Sequence, residues 1–394
     1  MTFAEILFWI LMALVFYVFI GYGILVSMFV LVKSVFRSDI KKVTGDLPNV
    51  TMFIAAYNEK DYAEAKTRNC FDLDYPVEKL EIIWVTDGSD DGTDQILKQI
   101  KGITVLHEPE RNGKIAAMNR GMAFVHSPIV IFSDANTFLN REAVRNIVQA
   151  FQDPHVGCVS GEKRISGKTK DNAAGTGEGL YWKYESFLKK NDALLYSAVG
   201  AAGELFAIRT ELFKEVEKDT LLDDFMISMR IVASGYKIAY TPDAFATETA
   251  SASVKDEMKR KIRISAGGIQ SVVRLRQLLN PFRYFVFSWQ FISRKVLRWL
   301  FVPFALPALF AINFIILIDK GFYQHGIYQV IMSLQVLFYL MAIFGWILRD
   351  SKISFKILFL PYYIFIMNYA VFPGLIRYFR GKQSVNWERA KRAS

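Results

Sequence analysis

The sequence predicts an α/β domain built on a parallel sheet, held between membrane-spanning helices at both ends of the chain. Three observations carry this. Short apolar runs alternate with amphipathic helical stretches four times after residue 49. Several apolar runs end on a carboxylate or an amide. Long stretches without any charge flank this segment on both sides.

The flanks come first. The 394-residue chain is 52% hydrophobic, more than an ordinary soluble protein carries. Residues 6–32 contain no charged side chain, a length that crosses a bilayer with some tilt. A basic start and a small-residue cleavage site are both missing, so a retained anchor is expected rather than a signal peptide. Residues 299–318, 327–348 and 357–376 are three further uncharged runs, each long enough for a spanning helix. The expected organisation is an N-terminal span and basic linker (1–48), a domain of soluble composition (49–280) and a C-terminal membrane region (281–394).

The net charge of +10 gathers beside these runs. Lys33, Arg37, Lys41 and Lys42 follow the first, and Arg283, Arg294, Lys295 and Arg298 lead into the second. The positive-inside rule then places the central domain in the cytosol of a bacterial-type plasma membrane, against anionic lipid. Membrane lipid, not nucleic acid, is the expected partner of this charge. One conflict remains. Three crossings after a cytosolic domain leave the tail outside, yet it carries Arg377, Arg380, Lys382, Arg389, Lys391 and Arg392. Pro361 and Pro373-Gly374 mark the last run as the one that would be re-entrant or lie flat. Residues 284–300 mix aromatic and basic side chains and read as an interfacial helix. Cys70 and Cys158 form no metal or redox pattern and are expected to be free thiols.

Within the domain, residues 50–56 and 80–86 read as buried strands, 103–106 and 129–132 as two more. Helices are expected from Tyr62 to about Cys70, from Thr93 as a cap with Ile96, Leu97 and Ile100 inward, over 114–124, and after Asn140 as a cap. In such sheets ligands bind beyond the carboxyl ends of the strands. Glu59, Asp87 and Asp134 stand at three of these ends. No phosphate loop of the Gly-x-x-x-x-Gly-Lys-Ser/Thr type occurs, and no Gly-x-Gly-x-x-Gly turn follows the first strand. An acid-lined crevice instead suits a divalent cation together with the diphosphate of a nucleotide. Further on, Asp223 and Asp224 open an apparent helix. Acids there complement the helix dipole, but a carboxylate beside a metal-diphosphate can also act as a general base. Arg260 and Arg263 fall on neighbouring helical positions and can neutralise a departing diphosphate.

Taken in order, Ala56-Tyr-Asn-Glu59, Thr86-Asp-Gly-Ser89, Gly113-Lys114, Ser133-Asp-Ala-Asn136, Asp223-Asp224 and Arg260-x-x-Arg263 resemble the membrane-bound family 2 glycosyltransferases. That group includes the cellulose, hyaluronan and poly-N-acetylglucosamine synthases. The resemblance spans the soluble domain and the membrane helices around it. It implies a GT-A (Rossmann-like) fold, a nucleotide-sugar donor with UDP favoured, Mg²⁺ or Mn²⁺, and inversion at the anomeric carbon. By motif position it implies nucleoside contacts for Glu59 and Asp87, and Lys114 near the nucleotide. Asp134 would meet the donor and, with Asn136, the metal. Asp224 would be the general base beside Asp223, and Arg263, with Arg260, would face the leaving diphosphate.

Three departures bear on the activity. Asn136 stands where the acid-x-acid motif has its second acid. The acid pair is Asp-Asp where Thr-Glu-Asp is usual. Ile264 replaces the tryptophan that follows the final arginine in the polymer synthases. Transfer of one or a few sugars to a lipid-linked or glycan acceptor in surface-polysaccharide assembly is therefore the expected function. A processive synthase-translocase and an inactive nucleotide-binding scaffold are the alternatives. Tyr181 and Trp182 can stack on sugar or simply pack. Gly200 and Gly203 permit close backbone approach. Glu248 reads as a loop acid.

Overall fold

The structure is a computed structural model. It describes residues 1–35, 46–165, 173–248, 254–321, 326–348 and 356–381, with backbone alone at 173–181, 254–256 and 356–359.

Eight strands form one sheet. They are β1 (Val50–Ala56), β2 (Leu80–Asp87), β3 (Thr104–Glu108), β4 (Ile129–Ser133), β5 (Phe138–Leu139), β6 (Val156–Ile165), β7 (Leu205–Arg209) and β8 (Lys237–Glu248). Their order is β3-β2-β1-β4-β7-β6-β8-β5. The first four are parallel, as expected. The second half departs from the all-parallel expectation. β7 runs antiparallel to both β4 and β6, β8 is parallel to β6, and β5 is antiparallel to β8. The sheet is thus mixed, and β7 is where its direction turns.

Strand β1 is buried along its whole length, so it reads as an apolar run rather than an alternation. Phe53 and Ala55 face one core, and Met52, Ile54 and Ala56 face the other.

Two helices, α1 (Phe3–Phe16) and α2 (Tyr22–Val35), join through a π-helical turn at Tyr17–Gly21. The domain then carries α3 (Lys60–Phe71), α4 (Thr93–Gln99), α5 (Lys114–Met122), α6 (Ala143–Ala150), α7 (Ala173–Leu195), α8 (Asp223–Ala233) and α9 (Val254–Arg274). Gly121 lets α5 lie directly on the sheet, since a Cβ there would stand 2.6 Å from Phe53 and Val85. Neither expected cap is one. Thr93 lies inside α4, and its hydroxyl donates to Asp91 while accepting the Glu59 amide at 3.0 Å. Asn140 instead pins β8. Its Oδ1 accepts from the Phe245 amide, and its Nδ2 donates to the Asp243 carbonyl.

The C-terminal region holds α10 (Pro281–Phe291), a π-helical stretch (Ile292–Phe301), α11 (Val302–Lys320), α12 (Gly326–Ile347), α13 (Lys356–Tyr369) and α14 (Val371–Arg380). Three helices among the described residues are long and apolar enough to cross a membrane: Phe3–Val35, Pro281–Lys320 and Gly326–Ile347. The fourth expected span is instead two short helices that break at Ala370. α14 lies against the soluble domain, with Gly374 so close to α9 that a Cβ would stand 2.8 Å from Ser265. That packing sets α14, with Arg377 and Arg380, beside the soluble domain. The tail from 382 onward lies outside the described residues.

The expected interfacial helix is also different. Phe287 and Phe291 enter the domain core. Arg294 is buried and donates to Glu185 at 2.9 Å and Asp192 at 2.8 Å, while Lys295 and Arg298 pair with Glu185 at 3.5 and 3.2 Å. These basic groups answer carboxylates of α7, not lipid. Tyr22 of α2 donates to the same Asp192, so both membrane segments are tied to one buried pair of acids.

Candidate active site

The site forms where β4, α5 and α8 end or begin close together. Gly113, at φ +93°, turns the chain into α5, and Lys114 is the first residue of that helix. Its ammonium bridges Asp134 Oδ1 at 3.0 Å and Asp223 Oδ2 at 3.1 Å. Asp134 follows β4, and its carbonyl accepts from the Thr137 amide and hydroxyl, closing a tight turn over residues 134–137. Asp223 opens α8. One lysine therefore joins three elements that lie far apart in sequence, around a small pocket lined by Lys114, Ser133, Asp134, Gly203, Phe206 and Asp223.

Asp224 is the next residue. Burial, and then the charge of Asp223, push its carboxyl up to about 7, with Lys114 acting in the opposite direction. Burial works against the charge on Lys114, but Asp134, Asp223 and Asp224 together hold it firmly protonated. Gly203 abuts Asp224, and a Cβ there would stand 3.0 Å from Asp224 Oδ2.

A second cluster adjoins the first. Lys163 is buried between Glu204 and Glu248, at 2.5 Å from each. Glu204 is half-buried, and against the cost of that burial Lys163 and then Arg260 pull its carboxyl down to about 2. Lys163 also stands 5.4 Å over the Trp182 ring. Glu248 is thus not a loop acid but the buried end of β8, in an ion pair. Sequence reading missed Lys163 and Glu204. The Gly203-Glu204 pair offered a faint signal, which pointed only to backbone approach.

The other expected site residues are placed as follows. Asp87 is buried and accepts the amides of Asn112 and Gly113, the latter at 2.6 Å, so it fastens the turn that delivers Lys114. Glu59 is buried at the start of α3. Arg260 is half-buried, 3.6 Å from Glu257, and acts on Glu204 through its field. Arg263 is exposed, and no ion pair holds it among the described residues. Asn136 is half-buried on the same turn as Asp134. The free cysteines Cys70 and Cys158 are both buried.

Among the described residues no three His, Cys, Asp or Glu side chains form a ready-made metal cage. The donors present still fit a hard divalent cation. Asp134 and Asn136 offer oxygen from one turn, and the Lys114 ammonium already occupies the negative field of Asp134 and Asp223. Mg²⁺ and Mn²⁺ commonly take one or two protein ligands and complete their shell with phosphate oxygens and water.

Residues 51–217 match the family model described as glycosyl transferase family 2. Over that stretch the chain is similar to the family 2 glycosyl transferases. A curated relative, the poly-β-1,6-N-acetyl-D-glucosamine synthase of Staphylococcus aureus (strain MSSA476), is 27% identical over 237 residues, which is 58% of this chain and 57% of that protein. The Staphylococcus epidermidis synthase of the same name is 24% identical over 246 residues, 60% of this chain and 58% of its own. The match therefore spans little more than half the length of these curated relatives. Among solved structures, a mannosyltransferase from Pyrobaculum calidifontis, in complex with GDP-Man and Mn²⁺, superposes with a TM-score of 0.68. It is 22% identical, and the alignment covers 96% of this chain and all of that one. That likeness establishes the fold. The soluble domain is a mixed-sheet, Rossmann-like GT-A fold with apolar helices on either side.

Proposed function

We propose that this protein is an inverting, metal-dependent family 2 glycosyltransferase. It moves a sugar from a nucleotide-sugar donor to a lipid-linked or glycan acceptor during surface-polysaccharide assembly. The domain works at the cytosolic face of the plasma membrane. The single observation that carries this reading is Asp224: a carboxyl poised near neutrality against Gly203, beside a pocket whose acids are tied to Lys114. A scaffold has no use for such a group, whereas a general base works best near the ambient pH.

In this reading Asp224 accepts the proton of the acceptor hydroxyl as the oxygen attacks the anomeric carbon. The bond to the nucleoside diphosphate breaks on the opposite face, which inverts the configuration. Lys114 lies where the charge of the leaving diphosphate grows, and Arg260 supplies a second positive charge nearby. Glu59 and Asp87 shape the nucleoside end, Asp87 by holding the 112–113 turn. Asp134 and Asn136 would hold the divalent cation, which supplies further charge neutralisation when bound. Arg263, exposed on α9 and without an ion pair among the described residues, is available to a phosphate entering from solvent.

The resemblance favours UDP. GDP is the alternative, since the mannosyltransferase that shares the fold was captured with GDP-Man. The synthases among the relatives favour a second reading, a processive polymerase. Ile264, where those enzymes have tryptophan, supports short transfer instead. A panel of UDP- and GDP-sugars incubated with the purified full-length protein in detergent, read by released nucleoside diphosphate, tests the assignment. Release from one donor, Mn²⁺- or Mg²⁺-dependent and lost in Asp224→Asn, is expected. No release from any donor, with or without candidate acceptors, defeats it, and long products favour the polymerase.

A further inference from the structure

The helix that carries Arg260 and Arg263 meets the acid pair through two glycines that no motif includes. Gly267 and Gly268 lie on α9, a turn beyond Arg263. A Cβ on Gly267 would stand 2.7 Å from Leu222 Cγ, and one on Gly268 would stand 2.7 Å from Trp299 Cε3. α9 therefore packs directly on the segment that delivers Asp223 and Asp224, and the Trp299 indole lies on its backbone. Gln270 tightens the first contact. Its Oε1 accepts the Leu221 amide at 3.1 Å, and its Nε2 donates to the Asp219 carbonyl at 2.9 Å.

Trp299 is half-buried and belongs to the π-helical stretch of the candidate span Pro281–Lys320. Its ring also meets Phe225, with centroids 5.5 Å apart. Lys295, one turn earlier, stands 5.3 Å over the indole and 5.9 Å over Phe225. Phe225 is the residue after Asp224. It presses on Gly200, where φ is +89° and a Cβ would stand 2.4 Å from the ring. Asp224 Oδ2 meets Gly203 of the same segment, at 3.0 Å from where a Cβ would be. The carboxylate and the ring thus rest against one short stretch, so a shift in Phe225 carries Asp224 with it. Close-packed interiors transmit such shifts.

We propose that Trp299 is a positioning residue for the base: it keys the membrane-entering helix between α8 and α9, and so fixes Asp224 relative to Arg260 and Arg263. This rests on the glycosyltransferase reading above. Trp299 touches no reacting atom and acts through Phe225 and α9.

The test compares the full chain in detergent with Trp299→Leu, which keeps an apolar side chain and removes the flat ring. Turnover is read as nucleoside diphosphate released per folded molecule, and affinity for UDP or GDP by calorimetry. Trp299→Leu should lower kcat about tenfold or more while nucleotide Kd stays within about twofold, because small misplacements of a reacting group cost rate rather than ground-state binding. Trp299→Phe keeps a ring in the slot and should restore most of the lost turnover. Gly268→Ala drives a methyl into the indole and should lower kcat as well. Adding Trp299→Leu to it should cost little more, since both changes act on one contact. A residue that only packs would lower the thermal midpoint and leave kcat per folded molecule unchanged. That outcome overturns the proposal, and so does an equal loss of kcat and nucleotide affinity; either leaves the glycosyltransferase reading standing. Failure of the wild type to release nucleoside diphosphate from any donor overturns both. Should Trp299→Leu not fold by circular dichroism, Gly268→Ala carries the comparison, and unchanged turnover there sinks the idea.

Discussion

Two of the charge clusters in this molecule are built to opposite ends. At the junction of the domain with its membrane helices, Arg294 is flanked by Glu185 and Asp192, with Arg298, Lys295 and Tyr22 around them. Positive charge there matches or exceeds negative charge. In the candidate active site, Lys114 alone faces Asp134 and Asp223, and Asp224 is left with its carboxyl raised to about 7. The first cluster pairs both of its acids with Arg294 and so fastens elements, although burial still raises the Asp192 carboxyl to about 6. The second leaves one acid incompletely neutralised, and an acid in that state can exchange a proton under ordinary conditions.

The comparison can be broken at its extremes. Asp224→Asn should lower turnover by about a hundredfold or more, the share general-base catalysis supplies, while nucleotide affinity stays near that of the wild type. Unchanged turnover would remove Asp224 as base. Arg294→Met should act on stability instead. Leaving Glu185 and Asp192 buried without their partner costs about 3–5 kcal/mol, read as a lower thermal midpoint in detergent. A midpoint like the wild type's would mean that the junction is not held by this cluster.

A smaller effect sharpens the electrostatics. If Asp224 must be ionised, turnover rises with pH through about 7. Asp223→Asn removes the second-largest cause of that elevation, so the rising limb of the pH profile should move to lower pH. Stability runs the other way with pH. A carboxyl whose folded value lies above its ordinary 3.8 weakens the fold as pH rises from the ordinary value through the folded one. Asp224→Asn should therefore melt above the wild type at pH 8, with the gap closing towards pH 4. The smallest effect is expected at the metal. Asn136→Asp should tighten Mn²⁺ by about tenfold, since charge count tunes such sites, measurable by titration without donor.

Much of the catalytic half was legible beforehand. β1, β2 and β4 announce themselves as apolar runs, and Asp87 and Asp134 stand at strand ends as the pattern predicts. Their uses were less legible. Asp87 serves the chain's own amides at Asn112 and Gly113, because a carboxylate beside a glycine turn finds backbone donors there. Thr93 and Asn140 look like caps, yet each spends its side chain on a partner 34 or 105 residues away. Lys163 and Glu204 escaped notice, and Glu248 read as a loop acid, because an ion pair between β6, the start of β7 and the end of β8 leaves no local spacing to read.

The sequence by itself determined the α/β class, the parallel first half of the sheet, the apolar helices at both ends and the order of the motifs. These depend on periodicity and on residue type within a few positions. Only the tertiary structure decided that the sheet turns antiparallel at β7 and that the last apolar run folds as two short helices against α9. It alone joined Lys114 to acids 20 and more than 100 positions away. Those outcomes depend on which charges share a low-dielectric interior, and the strength of such pairings is set by distance in space rather than along the chain.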